Sequence, residues 1–433
     1  MIPEIEKKSR IQIKQLQEEK LHELMIYLNH KSPFYIRLFK NRGIDISNIK
    51  TVEDLIKIPV TTKEDLQKYN DDFICVNRSK IIDYVTTSGT TGKPVFFGLT
   101  DNDLERLAYN EAISFACSKV TKNDTIQLMT TIDRRFMAGL AYFLGARKIG
   151  AGIIRVGAGI PELQWDSIIK FKPTYLIAVP SFLLKLIEYA DNNGIDINKS
   201  SVKGVLCIGE PLKNQDFTLN VLSERIKERW NVELYSTYAS TEMSTAFAEC
   251  EYQQGGHHHP ELIIAEILDE NNEPVKNGEE GELVVTTLGV EAMPLLRFKT
   301  GDVVKAHYEP CNCGRNTFRL GPVIGRKKQM IKYKGTTIYP PAMYNLLNDF
   351  SEIENYIIEI DKNEIGTDKI TIKIRSKMAS VDLIERLKDH FRAKLRVSPQ
   401  IEFVSVEEIN QLKFPKMSRK PMLFVDRRES IAN

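Results

Sequence analysis

From about residue 80 to residue 325, short β-prone runs alternate with helical patterns, and no other feature constrains the fold of this chain as strongly. The runs include "IIDYVTT", "TIQLMTT", "GIIRVG", "TYLIAVP", "GVLCIG" and "ELVVTTL". They predict an α/β architecture, with ligands gathered at loops beyond the strand ends. Ahead of them, residues 4 to 29 read as one amphipathic helix with Ile11, Leu16, Leu21, Leu24, Met25 and Leu28 on its apolar side. Past about residue 326 the character changes. "NYIIEI", "KITIKI", a helix over Asp382–Leu395 and "IEFVSV" predict a compact β–β–α–β unit, the helix laying Leu383, Leu387, Phe391 and Leu395 on a small sheet. The expected organisation is a large N-terminal domain over residues 1–325, with mixed sheets and helices, and a small α+β domain over 326–433. The two join near "GRKKQMIKYKG".

The formal charge of the 433-residue chain is only +2, which gives no ground for bulk nucleic-acid or membrane-surface binding but leaves small anionic substrates open. The most apolar long stretch, residues 138–160, is broken by Arg147, Lys148 and Arg155, against a membrane span. "MIPEIEKKSRIQ" lacks the apolar core of a signal peptide, and six cysteines in so long a chain are no disulfide scaffold. A cytoplasmic protein is expected.

"YVTTSGTTGKPVFFGLT", Tyr84 to Thr100, resembles a phosphate cradle of an unusual kind. A nucleotide P-loop leaves four residues between its glycines and opens a helix. Here only Thr90 and Thr91 separate Gly89 from Gly92, and Pro94 follows Lys93. Pro94 has no N–H, and Val95, Phe96 and Phe97 favour a strand. A strand–loop–strand hairpin is predicted, its tip offering hydroxyls, an ammonium and backbone N–H groups; the alternative is a plain polar turn.

Further segments fall in order behind this loop: Gly209-Glu210-Pro211, Tyr238-Ala239-Ser240-Thr241-Glu242, Lys299-Thr300-Gly301-Asp302, Gly325-Arg326 and the basic "FPKMSRKPMLFVDRR". In this order the chain resembles the acyl-adenylate-forming superfamily of acyl-CoA synthetases, luciferases and peptide-synthetase adenylation domains. "SPFYIRLFKNRGI", "TVEDLIKIPVTTKEDL", "EAMPLLRFKTGD" and "CNCGR" are similar to its phenylacetate–CoA ligase-like branch. The resemblance implies a two-step reaction with ATP, Mg²⁺ and coenzyme A as cofactors. A small carboxylic acid, aryl acids among the candidates, attacks the α-phosphate; pyrophosphate leaves, and the thiol of coenzyme A then displaces AMP. Transfer to a non-CoA acceptor, and a silent nucleotide-binding protein, are the alternatives.

The resemblance also assigns residues. Ser88, Gly89, Thr90, Thr91, Gly92 and Lys93 would grip the β/γ-phosphates. Gly209, Glu210, Pro211 and Tyr238 would form the adenine slot, flanked by Ala239, where the family usually has Gly, and Ser240. Thr241 would lie near the α-phosphate, Glu242 would hold Mg²⁺, Asp302 would bind the ribose hydroxyls, and Arg326 would reach the ribose or phosphate. Lys420 falls on the family's adenylation lysine, with Lys416 the alternative; Lys328 marks the hinge of the small lid domain, and Lys334 and Gly335 the thiol channel. Phe136, Met137 and Ala138 stand where relatives place the acid, and could equally be helix core. Cys250, His257, Cys311 and Cys313 suit a structural zinc, buried cysteines and a solvated His cluster being the alternative. A homodimer is compatible with the resemblance.

Overall fold

In the parallel strands of the sheet, neighbouring residues point to opposite faces, and both faces are covered. The computed structural model describes residues 2–87, 95–333, 336–362, 368–413 and 421–428. The chain divides into two compact units, Met1–Thr300 with Val304–Val323, and Gly301–Val303 with Ile324–Asn433.

The helices of the first unit are α1 (Arg10–Lys31), α2 (Pro33–Arg42), α3 (Lys63–Lys68), α4 (Asp101–Cys117), α5 (Met137–Ile149), α6 (Pro161–Phe171), α7 (Pro180–Asn192) and α8 (Val221–Arg229). Its strands begin with β1 (Asp83–Thr86) and β2 (Phe96–Leu99), the antiparallel hairpin expected around the Ser/Thr/Gly loop. There follow β3 (Thr125–Leu128), β4 (Gly152–Arg155), β5 (Tyr175–Ala178), β6 (Gly204–Ile208), β7 (Glu233–Ser240), β8 (Thr245–Glu249), β9 (Gly256–His257), β10 (Ile263–Leu268), β11 (Glu280–Thr287), β12 (Phe298–His307) and β13 (Arg319–Leu320). The large sheet runs in the order β10-β11-β12-β13-β9-β8-β7-β6-β5-β3-β4.

From β4 to β7 this sheet is parallel. Leu176, Ala178, Val205, Cys207 and Leu234 face one layer, where Trp165, Leu183, Leu186 and Ile226 come from α6, α7 and α8. Tyr175, Ile177, Leu206 and Tyr235 face the other, against Phe115 of α4 and Tyr142 and Ala146 of α5. The two-residue period of a strand thus feeds two apolar layers, as a parallel sheet requires. A third cluster joins α1 and α2 to β1, β2 and the antiparallel strands through Leu21, Met25, Leu28, Tyr35, Phe97, Ile263 and Leu283.

The N-terminal expectation needs correction. Residues 4–29 are not one helix: a 3-10 turn, Glu4–Lys7, precedes α1, which starts only after Ser9 closes a capping box with Gln12. In the first turn after that cap Ile11 is 80% exposed and Ile13 is buried, while Leu21, Leu24, Met25 and Leu28 are buried as expected. The apolar stretch 138–160 resolves into α5 and β4. Among the described residues, no helix is long and apolar enough to cross a membrane.

The second unit contains β14 (Gly325–Arg326), β15 (Ile331–Tyr333), β16 (Thr336–Ile338), α9 (Pro340–Asn348), β17 (Ile353–Lys362), β18 (Asp368–Ser376), α10 (Val381–Leu395), β19 (Gln400–Phe403), α11 (Val406–Lys413) and β20 (Phe424–Asp426). A four-stranded sheet, β19-β18-β17-β20, carries α10, whose Leu383, Leu387 and Phe391 pack on Ile358, Ile360, Ile370 and Ile372.

Candidate active site

The carboxyl ends of the parallel strands deliver the candidate residues. Gly209-Glu210-Pro211 follows β6 directly, Tyr238, Ala239 and Ser240 end β7, and the Phe136 loop follows β3. Ligands of open α/β sheets gather at this edge. Gly209 takes a left-handed backbone (φ +77°), which a residue without Cβ adopts freely. Glu210 is turned onto the start of α7, accepting hydrogen bonds from Ser181 N and Ser181 Oγ, both at 2.8 Å. Pro211 is exposed, and its carbonyl accepts from Asn220 Nδ2 at 2.8 Å.

β7 and β8 form an antiparallel hairpin pairing Tyr238 with Phe247, Ala239 with Ala246 and Ser240 with Thr245. Tyr238 is half-buried, its ring 6.1 Å from that of Phe247, and the Ala239 methyl lies on an exposed position. Residues 241–244 make the connecting turn. Met243 is buried in the core and donates its N–H to Ser240 Oγ at 3.2 Å; Ser244 N reaches Thr241 O at 3.3 Å. Between them Glu242 stands half-buried, and its carboxylate has no hydrogen-bond or ion-pair partner among the described residues. A partly desolvated, unengaged carboxylate at a strand-end turn suits a hard cation.

The base of the Ser/Thr/Gly loop is closed by Thr87 N on Val95 O at 2.9 Å and Val95 N on Thr87 Oγ1 at 3.1 Å. Ser88, Gly89, Thr90, Thr91, Gly92 and Lys93 themselves lie outside the described residues, as do Lys334, Gly335, Lys416 and Lys420. Thr86 N bonds Arg135 O at 3.0 Å, tying this hairpin to the Phe136 loop. Of the three acid-pocket candidates, Met137 is buried in the main core, Ala138 packs against the α4–α5 layer, and Phe136 is half-buried before α5. In the second unit Asp302 and Arg326 are cross-strand partners, with Arg326 Nε 3.3 Å from Asp302 Oδ1. Arg428 donates to the carbonyls of Lys328, at 3.2 Å, and Met330, at 2.8 Å.

The ligand atoms of Cys250, His257, Cys311 and Cys313 all lie within 4.8 Å of one another. Cys250 Sγ is 3.6 Å from Cys311 Sγ, and Cys313 Sγ is 3.4 Å from His257 Nε2. A tetrahedral zinc with bonds of about 2.0–2.3 Å needs edges of about 3.5–3.8 Å, so this three-sulfur, one-nitrogen set fits. Hydrogen bonds from Cys250 and His257 lower the pKa of the Cys313 thiol from its ordinary value. The other histidines are engaged elsewhere: His258 stacks on Phe318 at 4.4 Å, and His259 Nδ1 meets buried Glu6 at 2.5 Å. Glu6 also takes Arg315 Nε at 2.7 Å, and Arg315 Nη1 lies 3.3 Å from Cys313 Sγ.

Several supports of the site carry no motif. Lys213 and Glu249, each almost completely buried, pair at 2.9 Å, while Glu249 also accepts Ser236 N at 2.9 Å. This ion pair ties the segment after Pro211 to the hairpin that bears Glu242. From α4, Asn110 Oδ1 accepts Thr245 Oγ1 at 2.6 Å and Ala246 N at 3.1 Å. The only sequence signal for the pair is a charge at the end of the apolar strand "TAFAEC".

Comparison with known proteins places this geometry. Residues 48–292 match the family model described as AMP-binding enzyme. The chain is 31% identical to a phenylacetate–coenzyme A ligase of Thermus thermophilus over 86% of its length and 83% of the relative's. It is 29% identical to one of Aromatoleum evansii, with the same two coverages. A solved 2-hydroxyisobutyryl-CoA ligase, in the postadenylation state with 2-HIB-AMP, shares the fold at a TM-score of 0.85 and 23% identity, covering 99% of this chain and 92% of that one. The chain belongs to the AMP-binding enzyme family, within its phenylacetate–CoA ligase-like branch.

Proposed function

We propose that the protein is an ATP-dependent, AMP-forming ligase that activates a small, aryl or apolar carboxylic acid and passes it to coenzyme A. The similarity to phenylacetate–coenzyme A ligases along 86% of the chain carries this reading. A carboxylate is a poor acyl donor because its carbon is electron-rich and its oxide does not leave. Joining it to AMP supplies the leaving group, but requires an anionic acid to approach an anionic triphosphate, so donors and cations must be in place beforehand.

In this assignment Thr90, Thr91 and Lys93 hold the β/γ-phosphates, Tyr238 lies on adenine, and Asp302 with Arg326 binds the ribose hydroxyls. Glu242 holds Mg²⁺, which screens the phosphate charge when bound. Lys420 neutralises the attacking carboxylate and the α-phosphate in the first half-reaction, and Lys328 is the hinge of the lid. Cys250, His257, Cys311 and Cys313 hold a zinc that is structural, since four protein ligands leave no open position. It would secure the chain just beyond β8, the second strand of the Glu242 hairpin.

The test is incubation with ATP, Mg²⁺ and a panel of carboxylic acids, following pyrophosphate and CoA thioester. Both products should appear together with an aryl or apolar acid. Pyrophosphate without thioester would transfer the reading to a different acceptor, and neither product would refute adenylation. Lys420→Ala should abolish pyrophosphate release while sparing thioester formation from supplied acyl-AMP; the same result from Lys416→Ala instead would reassign the lysine.

A further inference from the structure

The turn that presents Glu242 is held from behind by a buried guanidinium. Arg106, on α4, is 8% exposed and makes no hydrogen bond to a carboxylate among the described residues. Its Nε donates to Leu288 O at 2.8 Å, its Nη2 to Leu262 O at 2.6 Å, and its Nη1 to Ser244 O. Burial draws its ionisation down to about 10, so the group stays charged at neutral pH. One turn further along α4, Asn110 bonds the next two residues, Thr245 and Ala246. Every residue from Ser244 to Ala246 is therefore fixed by an α4 side chain. Ser244 itself has a left-handed backbone (φ +50°), a conformation costly for a residue with a Cβ and sustained here by its surroundings.

We propose that Arg106, assisted by Asn110, is a positioning residue for the adenylation metal: it fixes the exit of the 241–244 turn so that the Glu242 carboxylate stands ready for the cation of the metal–nucleotide substrate. The inference rests on the reading of Glu242 as the magnesium ligand. Mg²⁺ demands near-octahedral geometry, so a carboxylate displaced by a fraction of an ångström binds it poorly. A planar fork can serve three carbonyls from separate segments at once; an ammonium on a flexible stem cannot reproduce that arrangement. The bonds to Leu262 and Leu288 anchor the fork, and the bond to Ser244 transmits the anchorage to the turn.

The test measures Mn²⁺ binding by electron paramagnetic resonance, with saturating α,β-methylene-ATP, in four proteins: unaltered, Arg106→Lys, Glu242→Gln and the double variant. Arg106→Lys should weaken Mn²⁺ about tenfold while nucleotide binding without metal changes less than twofold. In the Glu242→Gln background the same change should add less than twofold, because the carboxylate it positions has gone. Full tenfold weakening in both backgrounds, or equal loss of nucleotide and metal binding, would mean a general structural role and overturn the inference. If Glu242→Gln leaves Mn²⁺ binding unchanged, the reading of Glu242 fails first. Ser244→Gly gives a second check should Arg106→Lys not fold. It relieves the backbone strain, and because the guanidinium holds the carbonyl, Mn²⁺ affinity should stay within twofold; a fivefold loss would overturn the proposal.

Discussion

Replacing Glu111 with Gln should stabilise the protein, and increasingly so as the pH rises. Glu111 lies on α4 within the α4–α5 packing; its one hydrogen bond among the described residues is from Asn110 Nδ2, at 3.0 Å, and its Oε2 is buried without a partner. Burial pushes the carboxyl up from 4.5 to about 7, with the Asn110 bond and His259 acting in the opposite direction. The folded-state value is raised, so the folded chain keeps a proton that the unfolded chain releases. Below about pH 4.5 both states are protonated and the group is neutral in effect. From there to about pH 7 stability falls, and above pH 7 the full penalty applies. At about 1.4 kcal/mol per pH unit the penalty approaches roughly 3 kcal/mol, or about 5 °C in Tm for a unit of this size. Glu111→Gln keeps the shape and removes the charge. Paired thermal melts from pH 5 to pH 8 should show the variant's advantage growing from near zero to several degrees. A gap that is constant, or that closes toward pH 8, would refute a buried ionising carboxyl at this position.

Three further outcomes follow from the packing. Purified protein should contain about one zinc per chain, and stripping it with a strong chelator should lower Tm and raise KM for ATP; a stable, metal-free preparation would refute the zinc site. Lys213→Met leaves Glu249 buried without its cation and should cost about 3–5 kcal/mol, measured by denaturant unfolding, whereas adding Glu249→Gln should recover much of that loss. Gly145→Ala would place a Cβ 2.4 Å from Glu111 Cβ and 3.0 Å from its backbone carbon. The α4–α5 contact must then open, at about 1–3 kcal/mol, visible as a lower Tm with the ATP requirement unaltered.

How far the sequence reveals this molecule depends on whether a signal is local. Strands such as Tyr175–Ala178 and Gly204–Ile208 are legible because burial on both faces writes a continuous apolar run. The meeting of Cys311 and Cys313 is legible because a two-residue spacing in a short segment itself brings their sulfurs within 4.8 Å. The apolar face of α1 is legible at Leu21, Leu24, Met25 and Leu28, all buried, and departs from the pattern only at Ile11 in the first turn, which is 80% exposed while Ile13 is buried. The polar residues of α4 carry no local signal of their place. Asp103, Arg106, Asn110 and Glu111 are polar residues on one helix, and all are buried. Their partners are distant in the chain: Ser244 O lies 138 residues from Arg106, Leu288 O 182, and Ala246 N 136 from Asn110. A buried polar group is stable only when paired, and nothing in a local window says whether the pair exists. The same argument underlies the positioning role proposed for Arg106 and Asn110. A motif such as Tyr238–Glu242 names the groups proposed to meet the substrate, but a carboxylate on a four-residue turn acquires a fixed position only from elements that the motif does not contain. In the proposed assignment that constraint comes from Arg106 and Asn110 of α4, which bond residues 244–246, so substitutions at these two positions should act on metal binding without touching any residue of the motif.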